Sequence, residues 1–240
     1  MANPPRALRT DTRVVPSVAN GLVLIVLTSL ALRSRLDASA MHAARAVGLY
    51  VTVMALAVRH LPRHHPFPQF GPANQVTTMR AALVCFVASL LGEEASPPVL
   101  TVAAGLATLA TLLDGVDGWL ARRSGMASAF GARFDMEVDA LLILVLSLLV
   151  WYTGKAGPWV ILAGLLRYLF IGAGRALPWM RRALPPSRRR QTVCVVQITG
   201  LIVALLPQVT PPLSVGLAGG TLALLVWSFA IDTFWLWSRR

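Results

Sequence analysis

A chain of 240 residues that is 56% hydrophobic and only 13% charged is too apolar for a soluble domain, in which about a quarter of the residues carry charge. Its formal charge of +12 would suit nucleic acid, but the arginines lie between apolar runs rather than along one polar helix face, which argues against that partner and for a membrane. Cys85 and Cys194 sit inside apolar runs without metal-ligand spacing and read as small buried side chains.

A membrane-crossing helix takes about 20 mainly apolar residues. Two shorter runs come first, near 17–32 and 43–58, and read as tilted spans or interfacial helices. The first is not followed by a small-residue cleavage site and is expected to be retained. Six stronger stretches follow, near 76–91, 99–121, 132–152, 158–177, 191–207 and 213–236. Pro- and Gly-rich breaks at 92–98, 154–158 and 207–212 punctuate them. The expected fold class is all-α: a polytopic transmembrane helix bundle with a six-helix core over residues 71–240. Residues 1–70 form a leading segment with one or two membrane or interfacial helices.

Charge falls on alternate connections. Arg59 and Arg80 are followed by Arg122, Arg123 and Arg133, then by Arg175, Arg181, Arg182, Arg188, Arg189 and Arg190, with Arg239 near the end. The opposite connections hold only Lys155 against Glu93 and Glu94. The positive-inside rule makes the arginine side cytoplasmic, in an inner or plasma membrane. Trp119, Trp151, Trp159, Trp179, Trp235 and Trp237 fall near expected helix ends, as interfacial anchors do.

Five of the ten acidic residues lie between Asp114 and Asp139. Carboxylates so close to hydrocarbon repel one another and are costly, and a bound cation relieves both costs. Oxygen-only ligands favour Mg²⁺ or Mn²⁺. Asp114 and Asp117 are i, i+3 near the end of one helix, and Asp135 and Asp139 are i, i+4 near the start of the next. The connection between them contains Ser124, Gly125 and Ser128, enough to reverse the chain, so two antiparallel helices present four carboxylates at one level. Gly118 and Gly131 leave room for a ligand to approach the backbone. Glu137 points elsewhere on its helix and is assigned to packing or an ion pair.

The pattern Asp114-x-x-Asp117-Gly118-x-x-Ala121-Arg122, eight residues, Gly131-x-x-x-Asp135-x-x-x-Asp139 is identical in type and spacing to the signature of the CDP-alcohol phosphotransferase family. Upstream, Asn74-Gln75-Val76-Thr77-Thr78-Met79-Arg80 is similar to the Asn-x-x-Thr-x-x-Arg start of that family's first core helix. The resemblance covers the chain from about residue 70 onward. It implies two divalent cations held by Asp114, Asp117 and Asp135, with Asp139 as general base and a further metal contact. It also implies a donor site of Asn74, Thr77, Gly118, Ala121, Arg122 and Gly131. Arg80 reads equally well as a ligand or as a helix-end residue reaching the interface.

The family's bacterial members take CDP-diacylglycerol or a related CDP-alcohol as donor, transfer to a hydroxyl acceptor, release CMP and act as homodimers among membrane lipids. Arg133, Arg167 and Arg175 suit an anionic acceptor such as inositol phosphate or glycerol phosphate, and contact with anionic lipid explains them equally well. The segment Phe134 to Ala140 lacks the proline and trailing lysine often found in glycerophosphate-using relatives. The different-class alternative is a cation- or proton-coupled transporter, but the carboxylates gather at one membrane face and no repeat is visible, which favours the enzyme. A catalytically silent relative ranks last, because all four aspartates are present.

Overall fold

The structure, a computed structural model, describes residues 14–36, 40–64, 66–67 and 69–239. The expectation for residues 1–70 therefore lies partly outside the described residues. Among these there are eight α-helices and no strand, an all-helical bundle. They are α1 (Val14–Leu36), α2 (Ala40–His64), α3 (Pro72–Ser89), α4 (Pro97–Ser124), α5 (Ala129–Tyr152), α6 (Ile161–Ala176), α7 (Arg188–Leu205) and α8 (Leu213–Trp237). Each expected apolar run is one helix. Several start about a turn earlier, because polar residues and prolines that hydropathy ignores still open a helix well.

Five stretches are long and apolar enough to cross a membrane: Val14–Leu32, Met41–Arg59, Pro97–Ser124, Pro158–Ala176 and Leu213–Trp237. Both leading runs are thus long enough to span. The other three helices bear their charges within the helix: Arg80 on α3, three carboxylates on α5 and three arginines on α7. Large apolar side chains stand exposed along the spans, among them Leu27, Leu30, Leu112, Leu169, Trp227 and Phe234. Water would penalise that surface, and hydrocarbon would not.

Residues group into two compact units, residues 1–90 with 109–138 and residues 91–108 with 139–240. In the first, α1 and α2 both pack on α3. Hydrocarbon offers no water-driven term between helices, so close approach and hydrogen bonds do this work. Tyr50 donates its hydroxyl to the carbonyl of Val18 at 3.1 Å, and a Cβ on Gly21 would lie 2.0 Å from that hydroxyl. Arg45 donates to the Ser89 carbonyl at 3.4 Å, and His42 meets the Phe86 ring edge-on at 5.6 Å. These contacts leave Ala81 to Val87 buried without a break.

In the second unit, α7 lies against α8, close enough that a Cβ on Gly200 would fall 2.4 Å from Thr221 Cγ2. Lys155 is drawn inward: its ammonium donates to the carbonyls of Leu206 (2.9 Å), Pro207 and Val209, while Ser214 donates to its carbonyl at 2.6 Å. Asp232 is buried and accepts from both Arg189 and Arg190. Two of the three consecutive arginines that open α7 are therefore ion-pair partners of α8.

Candidate functional site

Three pieces of the first unit build the site, each started or stopped by a local signal. Gly71, at φ 82°, turns the chain into α3, and Pro72 at the first helical position supplies a preset φ. The three-residue spacing of Asn74, Thr77 and Arg80 brings them to one side of α3. The acidic end of α4 stops at Gly125, whose φ of 65° suits a residue without a Cβ. Ser128 then caps α5: its hydroxyl accepts the Gly131 amide at 3.0 Å, and its carbonyl accepts the Ala132 amide at 3.0 Å. Phe130 stacks on Phe134 and meets Phe70 at a tilt, with ring centroids 5.7 and 6.2 Å away, and ties the start of α5 to the approach to α3.

The carboxylates converge on one guanidinium. Arg80 is 1% exposed. It pairs with Asp114 at 2.9 Å, with Asp117 at 2.8 Å and with Asp135. Its Nε donates to the Ala110 carbonyl at 3.0 Å, which fixes the plane of the group. Thr77 adds a second donor to the same Asp117 oxygen, at 3.0 Å. Asp117 is accordingly buried, whereas Asp114 and Asp135 remain about one-third exposed. A carboxylate oxygen of Asp135 lies within 4.8 Å of one from Asp114. The boundary between the units falls within α5 just before Asp139, and the continuous helix places that residue one turn beyond Asp135, their oxygens again within 4.8 Å. Within the first unit, Asp114 and Asp135 could share a metal ion, and Asp139 follows one turn further along α5. Asp117, expected in the same ligand set, has Arg80 and Thr77 as its partners.

Beside this group opens a small cleft of about 70 Å³. Its lining includes Asn74, Thr77, Asp117, Gly118, Ala121, Gly131 and Asp135, together with Ala73, Met126, Ala127 and Ser128. Gly131 is required by contact: a Cβ there would lie 2.8 Å from Asn74 Oδ1 and 3.4 Å from Ser128 Oγ. Gly118 is different, since its Cβ would meet only Arg122 Nη1, at an ordinary 3.5 Å. That glycine keeps the cleft open rather than letting two helices touch.

Of the expected donor residues, Asn74, Thr77, Gly118, Ala121 and Gly131 line the cleft and Arg122 does not. Arg122 is exposed one turn beyond Gly118. None of Arg133, Arg167 and Arg175 is in the lining. Arg133 is exposed on α5, while half-buried Arg167 and exposed Arg175 sit on α6 in the other unit. Sequence reasoning left Arg80 undecided and gave Ser128 only a turn-forming role. The signals were there, in the three-residue spacing from Thr77 to Arg80 and in a serine three residues before Gly131.

The comparisons accord with this geometry. Neither the search of curated proteins nor that of solved structures gave a match. A scan of family models did: residues 70–231 match the model described as CDP-alcohol phosphatidyltransferase. The matched span contains α3, the acidic ends of α4 and α5, and every residue lining the cleft. It favours a transferase over the cation-transport alternative. The chain belongs to the CDP-alcohol phosphatidyltransferase family.

Proposed function

We propose that this integral membrane transferase moves a phosphatidyl group from CDP-diacylglycerol to a hydroxyl acceptor and releases CMP, at the cytoplasmic face of the membrane. Family membership implies a CDP-alcohol donor and a hydroxyl acceptor. The observation that carries the finer reading is the cleft itself, which brings Asn74, Thr77, Gly118, Ala121 and Gly131 beside Asp117 and Asp135. The cytoplasmic assignment rests on the arginine-bearing connections, and a homodimer on the family resemblance.

The donor set consists of carboxylate oxygens alone and fits hard divalent ions. In this reading Asp114, Asp117 and Asp135 would hold two Mg²⁺ or Mn²⁺ ions, with Asp139 as a further contact. Such ions neutralise a pyrophosphate and stabilise the CMP leaving group. The nucleotide lies in the cleft, where the missing side chains of Gly118 and Gly131 admit it and Asn74 and Thr77 offer polar contacts. Arg122 pairs with phosphate at the rim. Asp139 accepts the proton of the acceptor hydroxyl. The acceptor oxygen then bonds to the phosphorus bearing the lipid alcohol, and the bond from that phosphorus to CMP breaks. Arg133 is the proposed contact of an anionic acceptor, a phosphorylated polyol such as inositol phosphate or glycerol phosphate.

Purified full-length protein supplied with CDP-diacylglycerol, Mn²⁺ and a panel of alcohols and phosphorylated polyols should release CMP with at least one acceptor. Absence of CMP with every acceptor, under conditions in which a related enzyme turns over, would sink the reading. The cleft has its own check. Gly131→Leu pushes a side chain against Asn74 at the cleft wall, and if the about 1–3 kcal/mol of such overpacking falls on the bound state, donor affinity drops about 5- to 150-fold. Titration with a CDP-alcohol reads this loss directly, and unchanged affinity would move the donor elsewhere.

A further inference from the structure

Arg80 is the most deeply buried charged side chain among the described residues, and it joins three separate helices. It rises from α3, its Nη2 reaches Asp114 on α4, and its Nη1 is shared by Asp117 on α4 and Asp135 on α5. A residue that merely extends its charge toward the interface would have an exposed guanidinium. This one is enclosed, and the bond from its Nε to the Ala110 carbonyl anchors it to backbone. The rigid fork matters, because a lysine ammonium could not serve three carboxylates and a carbonyl from one fixed plane.

We propose that Arg80 is a built-in cation that holds Asp114, Asp117 and Asp135 in register when no divalent ion is bound, and so acts as the positioning residue of the acidic site. The inference rests on reading these aspartates as the metal site. Without a cation, carboxylates this close in a poorly hydrated pocket repel and the ends of α4 and α5 part. Arg80 supplies one positive charge that cannot be chelated or washed away. It holds Asp117 most firmly, together with Thr77, and leaves Asp114 and Asp135 partly exposed to an arriving ion.

The test is thermal unfolding of the full-length protein in detergent, in EDTA and in excess Mn²⁺, for wild type, Arg80→Gln, Arg80→Lys and the double variant Arg80→Gln/Asp117→Asn. Arg80→Gln should lower the melting temperature in EDTA far more than in Mn²⁺, so that the Mn²⁺-induced rise is about twice that of wild type. Arg80→Lys should fall between the two. The double variant, having lost a carboxylate along with the cation, should melt above Arg80→Gln in EDTA. A structural residue outside the charge balance would show no such metal dependence and no such recovery. If Arg80→Gln does not fold, recovery of folded protein in the double variant supports the proposal and its failure overturns it. Equal Mn²⁺ shifts in wild type and Arg80→Gln overturn the role of Arg80 alone. No Mn²⁺ shift even in wild type overturns the metal reading and this proposal with it.

Discussion

Asp139→Asn will cut CMP release by orders of magnitude while leaving the CDP-alcohol donor bound. The substitution keeps the side chain's size and shape but removes its capacity to take a proton. General-base catalysis of this kind contributes about 10²–10⁴-fold, and the loss of turnover should fall in that range. Arg80's ion pairs go to Asp114, Asp117 and Asp135, so they survive the change. The residues lining the cleft do not include Asp139, so donor affinity should hold. Two measurements on one preparation decide it, CMP release and equilibrium titration with donor. Wild-type turnover would remove Asp139 from the base role, whereas loss of donor binding would make it a ligand-holding residue instead.

The second large effect belongs to Asp135→Ala. Among the described residues, Asp135 alone both lines the cleft and offers a carboxylate oxygen within 4.8 Å of one from Asp114. Removing it should therefore strike metal binding and catalysis together. Wild type in Mn²⁺ at about 100 times its Kd should gain about 2.7 kcal/mol of stability, and the variant should lose most of that gain. Turnover should drop by about 10²–10³-fold, the scale on which one group aimed at developing charge acts. The metal-free fold should persist, because Arg80 keeps Asp114 and Asp117 as partners. A variant that still shows the full Mn²⁺ shift would exclude Asp135 from the ligand set.

The N-terminal helices bear on both results. The family match begins at residue 70, yet α1 and α2 pack on α3, α2 through Arg45 and His42, with Tyr50 tying α2 to α1. The helix that carries Asn74, Thr77 and Arg80 is thus packed by a segment outside the matched span. Its buried run from Ala81 to Val87 needs that cover as much as it needs its own sequence.

Much of this was legible in the chain itself. Helix periodicity and apolar run length are local properties, so eight apolar runs predicted eight helices, with errors of about a turn where capping residues such as Pro72 and Ser128 extend them. Spacing within one helix is local too, which is why Asp114 with Asp117, and Asp135 with Asp139, could be paired on faces without coordinates. Gly125 and Ser128 likewise announced the reversal that makes α4 and α5 neighbours.

What the sequence by itself determined is an all-helical, membrane-compatible chain with one acidic constellation at family-specific spacing. Only the tertiary structure decided which charge meets which. Arg80 reaches Asp117 and Asp135 across 37 and 55 residues, and Asp232 takes Arg189 across 43. An exposed and a buried arginine look alike in sequence, because the choice depends on which helix faces close around the side chain. Those closures are set by contacts such as Gly131 on Asn74, where a missing Cβ lets two distant segments touch.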